Sequence, residues 1–407
     1  MKKSLIFLAA AAIFSLNAEV LWQADFSKEL AGFTIKQNKP QDSIKAENGE
    51  LVMKCTHGPH KGVEIVTEIP FPETGDLSFD VVINAIGRPD NHSFSLKMNA
   101  FGKLLSWGIQ NLGFAMYCPV DNKANWITAS KYQEGKKANY RLRFDRVKGT
   151  LDVFVDGSFF PSKSYKDVKF AEPVNGKTTL LFGNYGYASG VLTHKISNLK
   201  LETVSDPEEV TEPKVVWSEK FEKDGTPADN GFKLTMDNKK DQFTVKDGVL
   251  TMICQNSPHK GMTYEQEIPG LIRGELTFEA LTGVGAGYDY YCLRMRLGSM
   301  TFAWRARNMW HLYHPSEPKW YILSKQIKNG VWHKYKIRFD AEDKTAEFYI
   351  DDMENPAFID TKSEYVAKRS LIFQISNYGL CSGTVTSKIR NIELKAVPKK
   401  KRVTETP

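Results

Sequence analysis

What the 407-residue sequence lacks narrows its class before anything it contains. After Phe14 no stretch approaches the roughly 20 apolar residues of a membrane-spanning helix. No apolar stripe of helical period stands out, so nothing in the pattern asks for a helical layer. Five cysteines are an odd number, and at least one has no partner within the chain. No Ser-His-Asp or Cys-His arrangement can be singled out, and no dense set of Asp ligands recurs. His311 and His314, three apart in "WHLYHP", fall on opposite faces of a strand, which is poor geometry for one metal.

Charge excludes less than it first suggests. The net charge is +7, but Lys2 and Lys3 sit at the amino end and a basic cluster, Lys399 to Arg402, at the other. The body between them is close to balanced. Residues 1-18 read as a cleaved signal peptide: two lysines, the apolar run Leu5–Phe14, then Leu16-Asn17-Ala18 as a small-residue cleavage point. The expected location is secreted or periplasmic. Behind such a leader the tail "PKKKRV" (398-407 in all) reads as a solvated segment rather than a nucleic-acid patch. No nucleic acid and no transmembrane span are expected.

What is present is one domain written twice. "VLWQADF" (20–26) answers "VVWSEKF" (215–221), "GDLSFD" at Gly75 answers "GELTFE" at Gly274, and "NYRLRFD" answers "KYKIRFD". A period near 190 residues means two complete domains, 19-204 and 214-397. Between them, 205-213 ("SDPEEVTEP") is acidic and proline-containing, an extended linker. Inside each copy the period is two: Leu276, Phe278 and Ala280 share one face, Glu275, Thr277 and Glu279 the other. Turns at Asp156-Gly157 and Asp351-Asp352 separate short strands. The expected fold is all-β: two tandem two-sheet β-sandwiches.

"VWHKYKIRFDAEDKTAEFYIDD", the closing "NYG…SG…KIRNIEL" and the opening "VLWQADF" resemble the strand–hairpin–strand core and the flanking strands of concanavalin-A-like and laminin-G-like jelly rolls. The resemblance runs through each repeat, and its motifs are structural. It implies two tandem antiparallel jelly-roll β-sandwiches whose concave faces often hold sugars, and it implies no particular reaction. Hydrolases on this fold carry a Glu-x-Asp-x-x-Glu strand, which this sequence lacks. The nearest pairs, Asp76/Asp80 and Glu275/Glu279, would lie ~13 Å apart along a strand, beyond the ~5–9.5 Å that glycoside hydrolysis uses. A solvent-facing pleat explains them better. Relatives often hold a structural Ca²⁺; no cofactor and no metal are expected here.

The copies differ most on one face. "YYCLRMRLGS" and "TFAWRARN" read as neighbouring strands with Leu293, Met295, Phe302 and Trp304 inward. The opposite face carries Arg294, Arg296, Arg305 and Arg307, where the first copy has Lys97, Asn99, Gly108 and Gln110. Guanidinium forks bind carboxylate and sulfate in a bidentate way. Either this face receives an acidic polysaccharide, or its arginines pair with neighbouring acids such as Glu275 and Glu279. Trp126 and Trp320, in matching loop-like segments, are candidate sugar-stacking platforms; Trp107 and Trp304 read as core. Asn184 and Asn377 either bind a sugar hydroxyl or shape a turn.

The tetrapeptide Pro-His-Lys-Gly recurs with His60 and His259. A type I turn accounts for its Pro and Gly and leaves the His-Lys pair as scaffold or contact. Cys55 and Cys254 read as buried thiols, His333 as a satisfied interior histidine, and Cys292 with Cys381 as a candidate disulfide. The expected function is non-catalytic carbohydrate binding. A glycan-active enzyme and an adhesive surface protein are the competing classes.

Overall fold

A computed structural model describes residues 18–399, apart from residues 38, 57–61, 87–93, 111–112, 118–125, 132–134, 185–190, 205–209, 256–259, 285–290, 306–308, 315–318, 325–326 and 380–383. The leader, the 400–407 end of the tail, most of the linker and both histidines of the Pro-His-Lys-Gly repeats lie outside the described residues. Contacts gather the described residues up to Asp206 into one compact unit and those from Pro207 into another.

Each unit is a sandwich of an eight-stranded and a seven-stranded antiparallel sheet, and strand order is the same in both. In the second domain the eight-stranded sheet runs Gln242–Lys246, Val249–Gln255, Thr384–Ala396, Arg273–Val284, Trp332–Asp340, Thr345–Ile350, Phe358–Asp360, with Lys214–Glu219 also pairing to Thr384–Ala396. Its seven-stranded sheet runs Lys233–Met236, Lys260–Pro269, Ser370–Gly379, Tyr291–Leu297, Met300–Arg305, Met309–His314, Lys319–Ser324. The alternation in sequence is what fixes these faces. Leu276, Phe278, Ala280, Tyr335, Ile337 and Phe339 all point into the core and are buried. Trp304 stacks on Trp310 at 5.8 Å, and Trp107 in the first domain meets Phe79 edge-on at 5.7 Å; both Trp107 and Trp304 are core residues, as the alternation indicates.

Tight hairpins set the register. Asn48-Gly49 and Asp247-Gly248 occupy matching two-residue turns with every φ positive, the left-handed geometry such turns require. A β-bulge recurs at Asn198 and Asn391, each at φ 53. Their amides donate to Asp80 (2.7 Å) and Glu279 (3.0 Å).

The acid pairs depart from the expectation of a solvent-facing pleat. Asp76 and Asp80 are buried rather than solvent-facing. Asp76 sits between Arg141 (3.1 Å) and Arg143 (2.9 Å), and Asp80 takes Asn139, Asn198 and Lys137. Cross-strand register is the cause, since Asp76 lies opposite Arg143 and Asp80 opposite Asn139. In the second domain Glu275 pairs with Arg338 (3.0 Å) and Glu279 with Arg390 (2.7 Å). These acids hold strands together.

The two sheets are also tied through the core by an asparagine. Asn377 donates to Met252 O (3.2 Å) and Val385 O (3.3 Å) on the facing sheet and accepts from Ser387 Oγ (3.1 Å). Asn184 donates to Met53 O and Leu192 O, both at 3.1 Å. Both side chains are 0 % exposed. This corrects their reading as sugar contacts or turn formers: an amide buried between two sheets has no route to a ligand.

Cys55 and Cys254 are buried thiols, as expected. Burial, reinforced by the Asp241 carboxylate, pushes the Cys254 thiol up to about 12, so it stays protonated and donates to Asn377 O at 3.1 Å. His333 is an interior histidine held at both nitrogens, by Asp351 (2.7 Å) and by the Lys328 amide (3.0 Å). Cys292 contributes backbone to the strand Tyr291–Leu297; its side chain and Cys381 lie outside the described residues.

One close approach gives a direct test of the packing. Gly270 donates to Arg369 O at 2.9 Å, and a Cβ there would lie 1.6 Å from the Lys368 carbonyl oxygen. Backbone cannot yield as a side chain does. Gly270→Ala is expected to lower stability by about 3 kcal/mol or more, read as a fall in the denaturant midpoint of the second domain.

Candidate functional site

The face of the second domain's seven-stranded sheet turned away from the core carries the most distinctive cluster among the described residues. Register places Arg294 beside Ala303, Ala303 beside His311, and His311 beside Ile322. The next row runs Arg296, Thr301, Tyr313, Trp320. Arg294 and Trp320 come from strands three places apart in the sheet, yet the guanidinium lies 5.9 Å from the indole ring. They reach toward each other above Ala303 and His311, which are 0 % and 2 % exposed although they point away from the core. The small Ala303 side chain leaves the space that this closure needs. Trp320 also packs against Tyr313 at 5.0 Å and meets His311 edge-on at 6.4 Å.

The cluster joins a planar cation to two aromatic faces, with half-buried Arg294, Tyr313 and Trp320 forming its upper surface. No Asp or Glu occurs in the four strands that build it, Tyr291–Leu297, Met300–Arg305, Met309–His314 and Lys319–Ser324. Among the described residues, the nearest acids of this sheet face are Glu265 and Glu267 on Lys260–Pro269, two strands, or ~10 Å, from Arg294's strand. Glu265 is engaged by Lys233 (3.4 Å) and Gln374 (3.2 Å). Among the described residues no group of His, Cys, Asp and Glu is arranged to hold a metal ion.

Only part of the expected arginine face can be followed. Arg294 belongs to the cluster, while Arg296 is exposed and donates to Gly298 O at 2.6 Å. Arg305 ends its strand opposite Met309, with its side chain outside the described residues, as is all of Arg307. The alternative partners proposed for these arginines are removed by the topology: Glu275 and Glu279 belong to the other sheet, committed to Arg338 and Arg390. Trp320 and Trp126 stand in edge strands, Lys319–Ser324 and Trp126–Lys131, rather than loops. Aromatic and β-branched residues in "WYIL" and "WIT" suit a strand, and that preference prevails over the flanking Pro and Asn. The Trp126 side chain, His60 and His259 lie outside the described residues. His311 is not singled out as a ligand contact by the sequence; its signal is the alternation with inward Trp310 and Leu312, both buried.

Comparison with known proteins adds likenesses only. No protein-family model matches the chain, and no curated protein matches it. Among solved structures, a glycosyl hydrolase family protein from Mycobacterium fortuitum is 11% identical, with TM-score 0.35, over 44% of this chain and 99% of its own. A β-1,3-glucanase from Mycobacterium marinum is 10% identical, TM-score 0.34, over 44% and 98%. A cellulose-induced protein is 16% identical, TM-score 0.32, over 44% and 95%. At such scores the likenesses carry no conclusion about activity, which rests on the chain's own residues.

Proposed function

We propose that this is an exported carbohydrate-binding protein that holds an acidic polysaccharide on the seven-stranded face of its second domain and does not cleave it. The observation that carries this reading is Arg294 set against Trp320, which packs in turn on Tyr313, on strands without a single carboxylate. The aromatic faces suit the C–H surface of a sugar ring. The guanidinium suits a ring carboxylate, which it grips through two parallel N–H bonds. A surface of this composition gains from an anionic sugar, and among the described residues it carries no paired acids of the kind that glycosidic cleavage uses. The resemblance to concanavalin-A-like jelly rolls agrees with sugar binding.

Arg294→Ala and Trp320→Ala are each expected to weaken binding of an oligogalacturonate while leaving the fold intact. A hydrogen bond to a charged group contributes roughly 1.5–3 kcal/mol, so the loss for Arg294→Ala is roughly 10- to 150-fold. Calorimetric titration measures it. Release of new reducing ends in the same mixture would replace the binding-protein reading with an enzyme.

A further inference from the structure

The two domains differ at one sheet edge, and the second domain shows what the first is missing. Nine residues (222–230) separate Phe221 from Gly231, but only five (27–31) separate Phe26 from Gly32. The two ends are equivalent, because Phe221–Phe232 and Phe26–Phe33 form matching ring pairs at 6.1 and 6.0 Å. The longer connection makes a single turn, Pro227–Asn230, that buries Pro227. It also lays Gly225 along the edge strand Gln242–Lys246. Gly225 N donates to Val245 O (3.0 Å), and Val245 N donates back to Gly225 O (3.2 Å). This short segment acts as an added strand.

Ala46 is the counterpart of Val245. Ala46 lies opposite Leu51 in its hairpin, as Val245 lies opposite Leu250. In both hairpins a two-residue turn is flanked by a bonded pair, so the next residue's N–H and C=O point off the sheet. The strand Ser43–Glu47 ends its sheet, and no described residue bonds to Ala46 on that side. In place of the missing turn there is an open groove of about 610 Å³. Its apolar floor is Leu30, Ala31, Ile35, Ile44 and Ala46. Ile35 is 45 % exposed there, whereas its counterpart Leu234 is half-buried.

We propose that this groove of the first domain binds an extended peptide of a partner protein, taken up as an added strand along Ser43–Glu47. A small residue stands opposite Ala46, and a proline two positions later fills the apolar floor, the chemistry that Gly225-Thr226-Pro227 supplies within the second domain. Edge pairing gives affinity through main-chain bonds and selectivity through the pocket. The loop 27–31 walls the groove, so a thin extended segment enters where the face of another folded domain does not. The two charged residues of the edge, Lys45 and Glu47, bind each other at 2.6 Å and discourage open-ended self-pairing.

The test uses the intact chain and a synthetic peptide with the sequence of residues 223–229, Lys-Asp-Gly-Thr-Pro-Ala-Asp. Saturable binding that shifts the Ala46 amide resonance is expected. Replacing the peptide's glycine by N-methylglycine, or Ala46→Pro in the protein, should each weaken it roughly tenfold by removing one edge bond in a dry groove. Replacing residues 27–31 by residues 222–230 should close the groove and abolish binding. No binding by the folded protein, or binding that Ala46→Pro leaves unchanged, overturns the proposal. A concentration-dependent dimer lost in Ala46→Pro, without peptide binding, overturns it in favour of self-pairing.

Discussion

On lowering the pH from 7 to 5, the first domain is expected to lose about 2 kcal/mol of stability. The cause is His194, which sits where the second repeat has Ser387: each lies opposite the equivalent methionine, Met53 or Met252. His194 is completely buried, and burial lowers its imidazole from 6.5 to about 3. The unfolded chain therefore takes up a proton below 6.5, and the folded domain refuses it until about 3. A depressed histidine of this kind costs nothing above 6.5. Below that value stability falls by up to about 1.4 kcal/mol for each pH unit. Carboxylates held low by their partners, such as Asp145 in the first domain and Glu342 in the second, protonate only below their ordinary 3.8 and 4.5. Neither of these two titrates between 6.5 and 5, and in the second domain Glu219, raised above 4.5 by burial, adds stability as the pH falls. Hydrogen exchange resolved by peptide on the intact chain reads the two domains separately. His194→Ser should remove most of the first domain's loss, and an unchanged response would assign the acid sensitivity elsewhere.

Asn377→Ala is expected to cost about 3–5 kcal/mol and to leave glycan binding by the folded protein unchanged. The substitution strands the carbonyls of Met252 and Val385 and the hydroxyl of Ser387 in a dry interior. Each stranded group costs roughly 1–3 kcal/mol, and cooperative loss of the network adds to the effect. The residue spans from Ser370–Gly379 to two neighbouring strands of the facing sheet, Val249–Gln255 and Thr384–Ala396, so the loss falls on the packing of one sheet against the other. Denaturant unfolding followed by fluorescence of buried Trp304 and Trp310 measures it. A ligand-binding asparagine would give the opposite pair of results: little change in stability and a large fall in affinity.

Much of the fold was legible because alternation and turn chemistry are local. Leu276-x-Phe278-x-Ala280 declared its inward face, and Asp156-Gly157 declared a turn that the structure places at positive φ. The partners of polar residues were not legible, since they depend on which strands become neighbours. Asp76 finds Arg141 and Arg143 through register, and Asn377 finds Met252 across the core; neither distance is encoded nearby in the chain. The site was half legible for the same reason. Arg294 and Trp320 could be named singly, but their approach over Ala303 and His311 requires the order of four strands. The role of the acids Glu275 and Glu279 was misjudged because the pattern does not say to which of two sheets a strand belongs.

The most direct test of the proposed function compares one sugar chain with and without its charge. Intact protein is titrated with oligogalacturonate and with its methyl ester, which keeps the ring and removes the carboxylate. The account predicts binding of the acid at least roughly tenfold tighter than the ester, and loss of that difference in Arg294→Ala. Equal affinity for the two forms, or binding of neither, would contradict it.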